Sequence, residues 1–516
     1  MANADRPQPQ PAPSTEVYAV FGVEPEVQAY AMAKYSRSAL SMKQSLAELS
    51  EQKAERFLNT FYFQYGHRSI ADLAHIAMAI ERLSLLAAIA VVDEQRWDGQ
   101  ERSTRYQDFS RPDYYVPDFG GDKQAEARYR EPIEGLFAAY REVSPPLVEY
   151  LKQHAPKPSA MAADFYERTV RARAFDIARY LLPLATNTSL GQIVSARTLE
   201  NQVARLLADT HPEVREVGLK LKQAARSAAY IPQREWLRSF IDELGDFRPD
   251  FAQEARDQLL KEVRVAPTLV KYADANSYLS KTREELQEAA AELMRGVEVA
   301  AEESGVALLE DEPIEIELAA TLLYEHCHHP YRQVRGRVEA MSAAQRKEIV
   351  DLGVKHRGAH DELLRAYCGG HGFRFDILMD IGGYRDLHRH RRCIQIGQGF
   401  TPKHGYDTPE EFAAAGVKNT YDRAMKHAGD VHTEIAGSAA DAADYVLPLG
   451  YRKRTLFKMD FAEVVYITEL RTAPAGHFSY RRIAWEMYEA VARRHPELAG
   501  YFRVHDPREK WDLLQR

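Results

Sequence analysis

The chain has 516 residues and a mass of 58.7 kDa, about three to four ordinary domain-lengths or two larger ones, and enough to bury a substantial core. With 45% hydrophobic and 28% charged residues it has the composition of a soluble globular protein, which excludes a generally disordered or fibrous chain. A formal net charge of −8 and a pI near 6.2 exclude a wholesale basic footprint for duplex nucleic acid, while leaving room for a local basic groove and a small anionic nucleotide.

Residues 1–15, rich in Pro and Gln and lacking the apolar stretch of a signal peptide, read as a disordered leader. Apolar residues then recur at three- and four-residue spacing over Val27–Leu49, Ile70–Val92, Glu126–His154, Phe165–Leu182 and Leu199–Tyr230, which predicts helices. The stretch Asp242–Asp257, with Gly245, Pro249 and dense charge, reads as a connection. It places a linker at 246–261, between a first domain at 16–245 and a second at 262–512. Helical spacing resumes over Glu284–Glu303, Met341–Tyr367 and Phe478–Arg494, interrupted by two strand candidates, Phe373–Met379 and the β-branched Phe461–Thr468. The predicted class is α+β, mainly helical, with a small mixed sheet in each domain. No run of about 18 apolar residues occurs, so no membrane span is expected. The three cysteines, Cys327, Cys368 and Cys393, form no CxxC pair, so neither a disulfide framework nor a zinc ribbon is encoded. A reducing cytoplasm is the simplest compartment.

The halves show a diverged internal duplication. Ala178-Arg-Tyr-Leu-Leu-Pro-Leu184 matches Ala443-Asp-Tyr-Val-Leu-Pro-Leu449 at an offset of 265 residues, and the one sharp difference is Arg179 against Asp444. In the second half, His388-Arg-His-Arg-Arg392 sets three guanidiniums within four positions. Their mutual repulsion is relieved by an anion such as a phosphate, although a solvated basic turn has the same composition. In the first half, Gln100-Glu-Arg-Ser-Thr-Arg-Tyr106 has the hydroxyls, arginine and carboxylate of a loop that could cradle a nucleotide. Gly66-His-Arg-Ser-Ile-Ala-Asp72 reads as a turn into a helix, with Ser69 either a simple cap or part of a phosphate site. His326-Cys-His-His329 reads as a polar surface turn, because consecutive side chains on a regular element cannot all converge on one metal; no metal site is expected.

Together these segments resemble the flavin-dependent thymidylate synthase family, the ThyX type. Its members carry a GH-x-[ST] helix start, the signature RHR-x7-S-x-R, a later A-R-x-x-LPL, and a closing LR…SH helix. The resemblance covers most of the chain twice, and Ala77–Gln95 aligns without gaps to Phe373–Arg391. The RHR survives only as Arg389, His390 and Arg391, having become Asp93-Glu-Gln95 in the first half, whereas S-x-R survives only as Ser103-Thr-Arg105, against Gly399-Phe-Thr401. The resemblance implies two ThyX-like domains packed as a pseudo-dimer, pairing further into a homodimer that mimics the family tetramer. It implies FAD held by Arg389, His390 and Arg391 with Ser69, Arg197, Asn201 and His211. A nucleotide would be gripped by Glu101, Ser103, Arg105, Arg179 and Arg471, with Arg471 and Arg389 in catalytic roles. The implied reaction methylates dUMP to dTMP, with methylenetetrahydrofolate and NADPH as co-substrates and no cysteine nucleophile. Because each half has lost what the other keeps, each site is expected to be composite. Asp386 stands where the family has a glutamine facing the pyrimidine, and a carboxylate accepts where an amide can also donate. A flavoenzyme with another acceptor, or a noncatalytic nucleotide- or RNA-binding scaffold, are the alternatives.

Overall fold

A computed structural model of the chain describes residues 20, 22–33, 42–47, 68–299, 305–309, 314–357, 364–367 and 372–508. The leader 1–15, Gly66, His67, residues 358–360 and Cys368 lie outside them, and of Ser69 only the backbone is described, in the 3-10 turn Arg68–Leu73. The chain divides into two compact units, 1–75 with 225–269, and 76–224 with 270–516.

In the first unit, the carboxylate of Glu26, on helix Pro25–Ala33, is buried and accepts from the backbone N–H groups of Thr268 and Leu269 at 2.8 and 2.6 Å. The stretch expected as an open linker at 246–261 is mostly helix here. Helix Arg234–Gly245 ends at the glycine, and Pro249 occupies the first helical position of Pro249–Leu259. Proline there starts a helix, since its missing N–H would have had no partner. Ile241 and Ala252 are buried on these helices.

The second unit holds both copies of the duplicated pattern. One sheet has strand order β1-β3-β2, from β1 (His75–Ser84), β2 (Asp98–Glu101) and β3 (Asn187–Ser195); the other has order β4-β5-β7-β6, from β4 (Val306–Leu308), β5 (Phe373–Asp380), β6 (Ile394–Gly397) and β7 (Arg452–Met459). The pairings β2–β3, β4–β5, β5–β7 and β6–β7 are all antiparallel, where a mixed sheet was expected. The expected strand Phe373–Met379 is β5. Strand β7 carries four cations and reads as no strand in sequence. It is buried because carboxylates come to it: Arg454 pairs with Asp376 at 3.1 Å and Lys458 with Glu317 at 2.7 Å, either side of Leu456 in the core.

Three sequence expectations give way to tertiary context. Ile70–Val92 is not one helix: strand β1 pairs into the first sheet, and helix Leu85–Val92 begins only where the hydroxyl of Ser84 accepts from the N–H of Ala87. Leu199–Tyr230 is two helices, Ala196–Leu207 and Pro212–Arg226, restarted at the proline. Phe461–Thr468 is not a strand but the start of helix Phe461–Thr472, capped by Asp460, whose carboxylate accepts from the N–H of Glu463 at 2.8 Å. Val464, Ile467 and Thr468 are buried at helical spacing, and their burial overrides β-branched propensity.

The two copies meet at their Leu-Pro-Leu segments. Pro183 and Pro448 form an antiparallel bridge. The N–H of Leu184 donates to Leu447 and that of Leu449 to Leu182, both at 2.9 Å, while Ala185 donates to Tyr445 and Gly450 to Tyr180. Each bond is the image of its mate under the 265-residue offset, so the duplicated strands associate as an isologous pair with a pseudo-two-fold axis at the prolines.

Candidate functional site

The pseudo-two-fold brings first-half residues against second-half ones. Helix Ala163–Ala178 presents Arg173 and Asp176, and the 3-10 turn Arg179–Leu181 follows it. The chain leaving β2 presents Glu101, Ser103 and Arg105. From the other half, helix Ile381–Leu387, capped by Asp380 on the N–H of Gly383, presents Arg385 and Asp386 ahead of the Arg389–Arg391 turn. A Cβ on Gly382 would stand 3.3 Å from the Nε of Arg179, so the glycine gives that guanidinium its place against the helix.

Glu101 takes Arg385 at 2.6 Å on one oxygen and faces Arg389 at 3.8 Å with the other. Arg179, 2% exposed, sends both terminal nitrogens to Oδ2 of Asp386, at 3.2 and 3.1 Å. Arg105 grips Asp176 through Nε at 2.7 Å and Nη2 at 3.3 Å, and donates through Nη1 to the hydroxyl of Tyr480 and through Nη2 to the carbonyl of Ala475. Ser103 is occupied locally, its hydroxyl accepting from the N–H of Arg105. Arg471 donates from Nε to Nε2 of His390 at 2.7 Å. That bond requires an unprotonated nitrogen, in keeping with the lowered pKa of His390, caused first by burial, with Arg471 and Arg391 adding to it against the pull of the Glu463 carboxylate 3.7 Å away. His477 sits against the helix carrying Arg173 and Asp176: its Nε2 donates to the carbonyl of Asp176 and its Nδ1 accepts from the N–H of Ser479, an arrangement of neutral imidazole. Burial and the nearby arginines push its pKa well down.

Seven guanidiniums, Arg105, Arg173, Arg179, Arg385, Arg389, Arg391 and Arg471, surround the carboxylates of Glu101, Asp176 and Asp386. Asp380 also faces Arg179 and Asp98 faces Arg391, which still leaves more guanidiniums than carboxylates, with the excess charge on Arg389, Arg391 and Arg471. Arg391 lies 4.4 Å over the ring of Trp97, its Nε and Nη2 buried without a partner among the described residues. Burial and then Arg389 lower its pKa, a repulsion that an anion would relieve. Open donors on adjacent arginines beside an aromatic face fit an anionic, planar cofactor such as FAD. Cys393 does not act as a nucleophile here: its thiol is buried, bonded to the carbonyl of His390, and pushed up to about 12 by burial.

Three more of the residues expected to hold flavin lie on helix Ala196–Leu207 and just after it. Arg197 and Asn201 are half-buried on helix Ala196–Leu207. His211 bonds Asp209 at 2.8 Å and lies 3.5 Å from Asp444, which also takes His432 at 3.2 Å. Asp444 is the counterpart of Arg179, so this is the pseudo-symmetric position of the first cluster. Its charges are internally paired as well: Asp93 with Arg365 at 2.7 Å and Glu94 with Arg205 at 2.8 Å. The segment His326–His329 is half-buried, with Cys327 buried, rather than a surface turn, because its backbone is tied between the core and Gln398. Among the described residues no three His, Cys, Asp or Glu side chains are placed to hold a metal.

Asp176, Arg385, Trp97 and Tyr480 escaped the sequence reading. Only Arg385, next to the conspicuous Asp386, had a local signal.

The model of the family described as thymidylate synthase complementing protein matches residues 21–229 and again 308–497. The chain belongs to that family. Both copies of the family pattern are thus present, and the composite cluster is formed by residues of the two. The chain is similar along nearly its whole length to UPF0159 proteins: 27% identical to one from Chlamydia muridarum over 95% of this chain and 92% of that one, and 25% identical to one from Thermoplasma acidophilum over 92% and 94%. It is also 25% identical to a flavin-dependent thymidylate synthase of Clostridium tetani, over 34% of this chain and 68% of that one.

Proposed function

We propose that the protein is a flavoenzyme of the thymidylate synthase type, with one composite site drawn from both halves. The observation that carries this reading is the meeting of Glu101 and Arg179 with Arg385, Asp386 and Arg389 across the pseudo-two-fold. FAD would be held by Arg389 and Arg391, whose charges the fold leaves in excess, with Trp97 beneath Arg391. When bound, FAD supplies hydride transfer, drawing on NADPH and serving a one-carbon unit from methylenetetrahydrofolate on its way to a pyrimidine such as dUMP. Arg471 is anchored through Nε on His390, and its two terminal nitrogens have no partner among the described residues, so they are available to stabilise negative charge developing on the acceptor ring. His477 positions Asp176, and through it Arg105. The same reading makes the chain a cytoplasmic homodimer.

A flavin absorption spectrum on the purified chain, lost in the Arg389→Ala/Arg391→Ala double variant while the fold is retained by circular dichroism, is the expected result. Equal flavin content in variant and parent overturns the assignment. Rescue of a thymidine auxotroph tests dUMP as the acceptor. A second reading, a flavoenzyme with a different acceptor, is favoured by the Asp386–Arg179 pair, because the guanidinium expected to grip the nucleotide phosphate already holds a carboxylate.

A further inference from the structure

The position of Asp386 narrows what the acceptor can be, on the reading that the composite cluster is the flavoenzyme site. Both terminal nitrogens of Arg179 converge on Oδ2 of Asp386, and the side chains are 2% and 15% exposed. Arg105 has every nitrogen engaged by Asp176, Tyr480 and the carbonyl of Ala475, and Arg385 is held by Glu101. Arg179 keeps a buried Nε without a partner among the described residues, but neither it nor Arg105 presents an open pair of terminal nitrogens. A phosphate reaching Arg179 would have to displace a part-buried carboxylate from its hydrogen-bonded partner and leave the two anions side by side, which is unfavourable. Asp386 stays ionised despite its burial, because Arg179 and then Arg105, Arg471 and Arg389 hold its pKa below the ordinary carboxylate range.

The same carboxylate offers something to a different ligand. Its Oδ1 has no hydrogen-bond partner among the described residues, and it can accept from an N–H but cannot donate. We infer that Asp386 is a specificity-determining residue, serving as a built-in substitute for a phosphate at Arg179 and selecting an uncharged acceptor with an N–H edge, a nucleoside or base-like heterocycle, over its 5′-phosphomonoester.

The test is a calorimetric titration of the full chain, as purified, with deoxyuridine and with dUMP, repeated on Asp386→Gln. In the parent, deoxyuridine is expected to bind more tightly than dUMP. In Asp386→Gln the freed guanidinium should give dUMP an advantage of about tenfold or more, as one charge-assisted contact provides. Binding of dUMP only to the variant supports the inference equally. A parent that already prefers dUMP, a folded variant that gains no preference, or absence of binding to both proteins overturns it. If the variant does not fold, the ratio measured on the parent decides alone. Flavin absorbance on the same samples separates the two readings, since a colourless parent removes the flavoenzyme reading while the ratio still reports on Asp386.

Discussion

Asp444 stands in the second half where the first has Arg179, and two histidines face its carboxylate. His211 lies between Asp209 and Asp444, and His432 takes the other oxygen of Asp444. Burial works against the charge on His211, but hydrogen bonds to Asp209 and Asp444 outweigh it and raise its pKa from 6.5 to about 9. A raised pKa means that the folded state binds the proton more tightly than the unfolded one. The stabilisation is therefore complete below about pH 6.5 and is lost as pH climbs to about 9, amounting to something on the order of 3 kcal/mol. Urea denaturation across pH 6.5–9 should show the parent losing that much more stability than His211→Asn; other groups titrating in this window, such as the buried Lys453, whose pKa burial lowers to about 8, are common to both and cancel. Parallel curves would contradict it. None of this was legible in sequence, where His211 was marked only as a flavin residue, since a partner 233 positions away at Asp444 leaves no local trace.

At the scale of elements, two long amphipathic helices were read closely, while Glu284–Glu303 is helix Ser277–Leu293, Met341–Tyr367 holds the shorter helix Ala343–Leu352, and the sheets were read poorly. Helix Phe478–Arg494 was placed to the residue, and helix Lys123–His154 to within three, because a buried stripe repeats along them. Strands β1, β3 and β7 were missed. In β7 the charges that argue against a strand are neutralised by Asp376 and Glu317, which arrive from other elements. The helix begun at Asp460 was mistaken for a strand on its Val, Ile and Thr content, although Ser195, its counterpart 265 residues earlier, caps a helix in the same way by accepting from Thr198. Asp460→Ala removes the cap and should lower stability by about 1 kcal/mol in urea denaturation. A change within about 0.2 kcal/mol would mean that the first turn is held by other contacts.

For the whole molecule, the duplication has made one chain do what two identical surfaces would do. Between Leu182–Leu184 and Leu447–Leu449 the reciprocal backbone bonds preserve the symmetry of the association, while the side chains around it have diverged into a strongly cationic cluster and a second position where the carboxylates of Asp93, Glu94 and Asp444 are matched by Arg365, Arg205 and two histidines. Open cationic donors survive at the first, so flavin titration of the 516-residue chain should saturate near one FAD per chain. Saturation near two would show that the second position also binds, and would contradict the composite site.

The sequence by itself determined the family, the duplication and the division of the family motifs between halves, because each motif is a run of neighbours whose spacing is set by covalent geometry. It also exposed the candidate flavin arginines, since three guanidiniums within four positions are conspicuous in any fold. What only the tertiary structure decided is which charges remain available. Arg105 and Arg179 looked alike in sequence, as open donors for a phosphate, and they are closed by Asp176 and by Asp386, the latter 207 residues away. Ion pairing depends on distances of a few ångströms and on exclusion of water. Both are set by packing across the pseudo-two-fold rather than by any local pattern of residues.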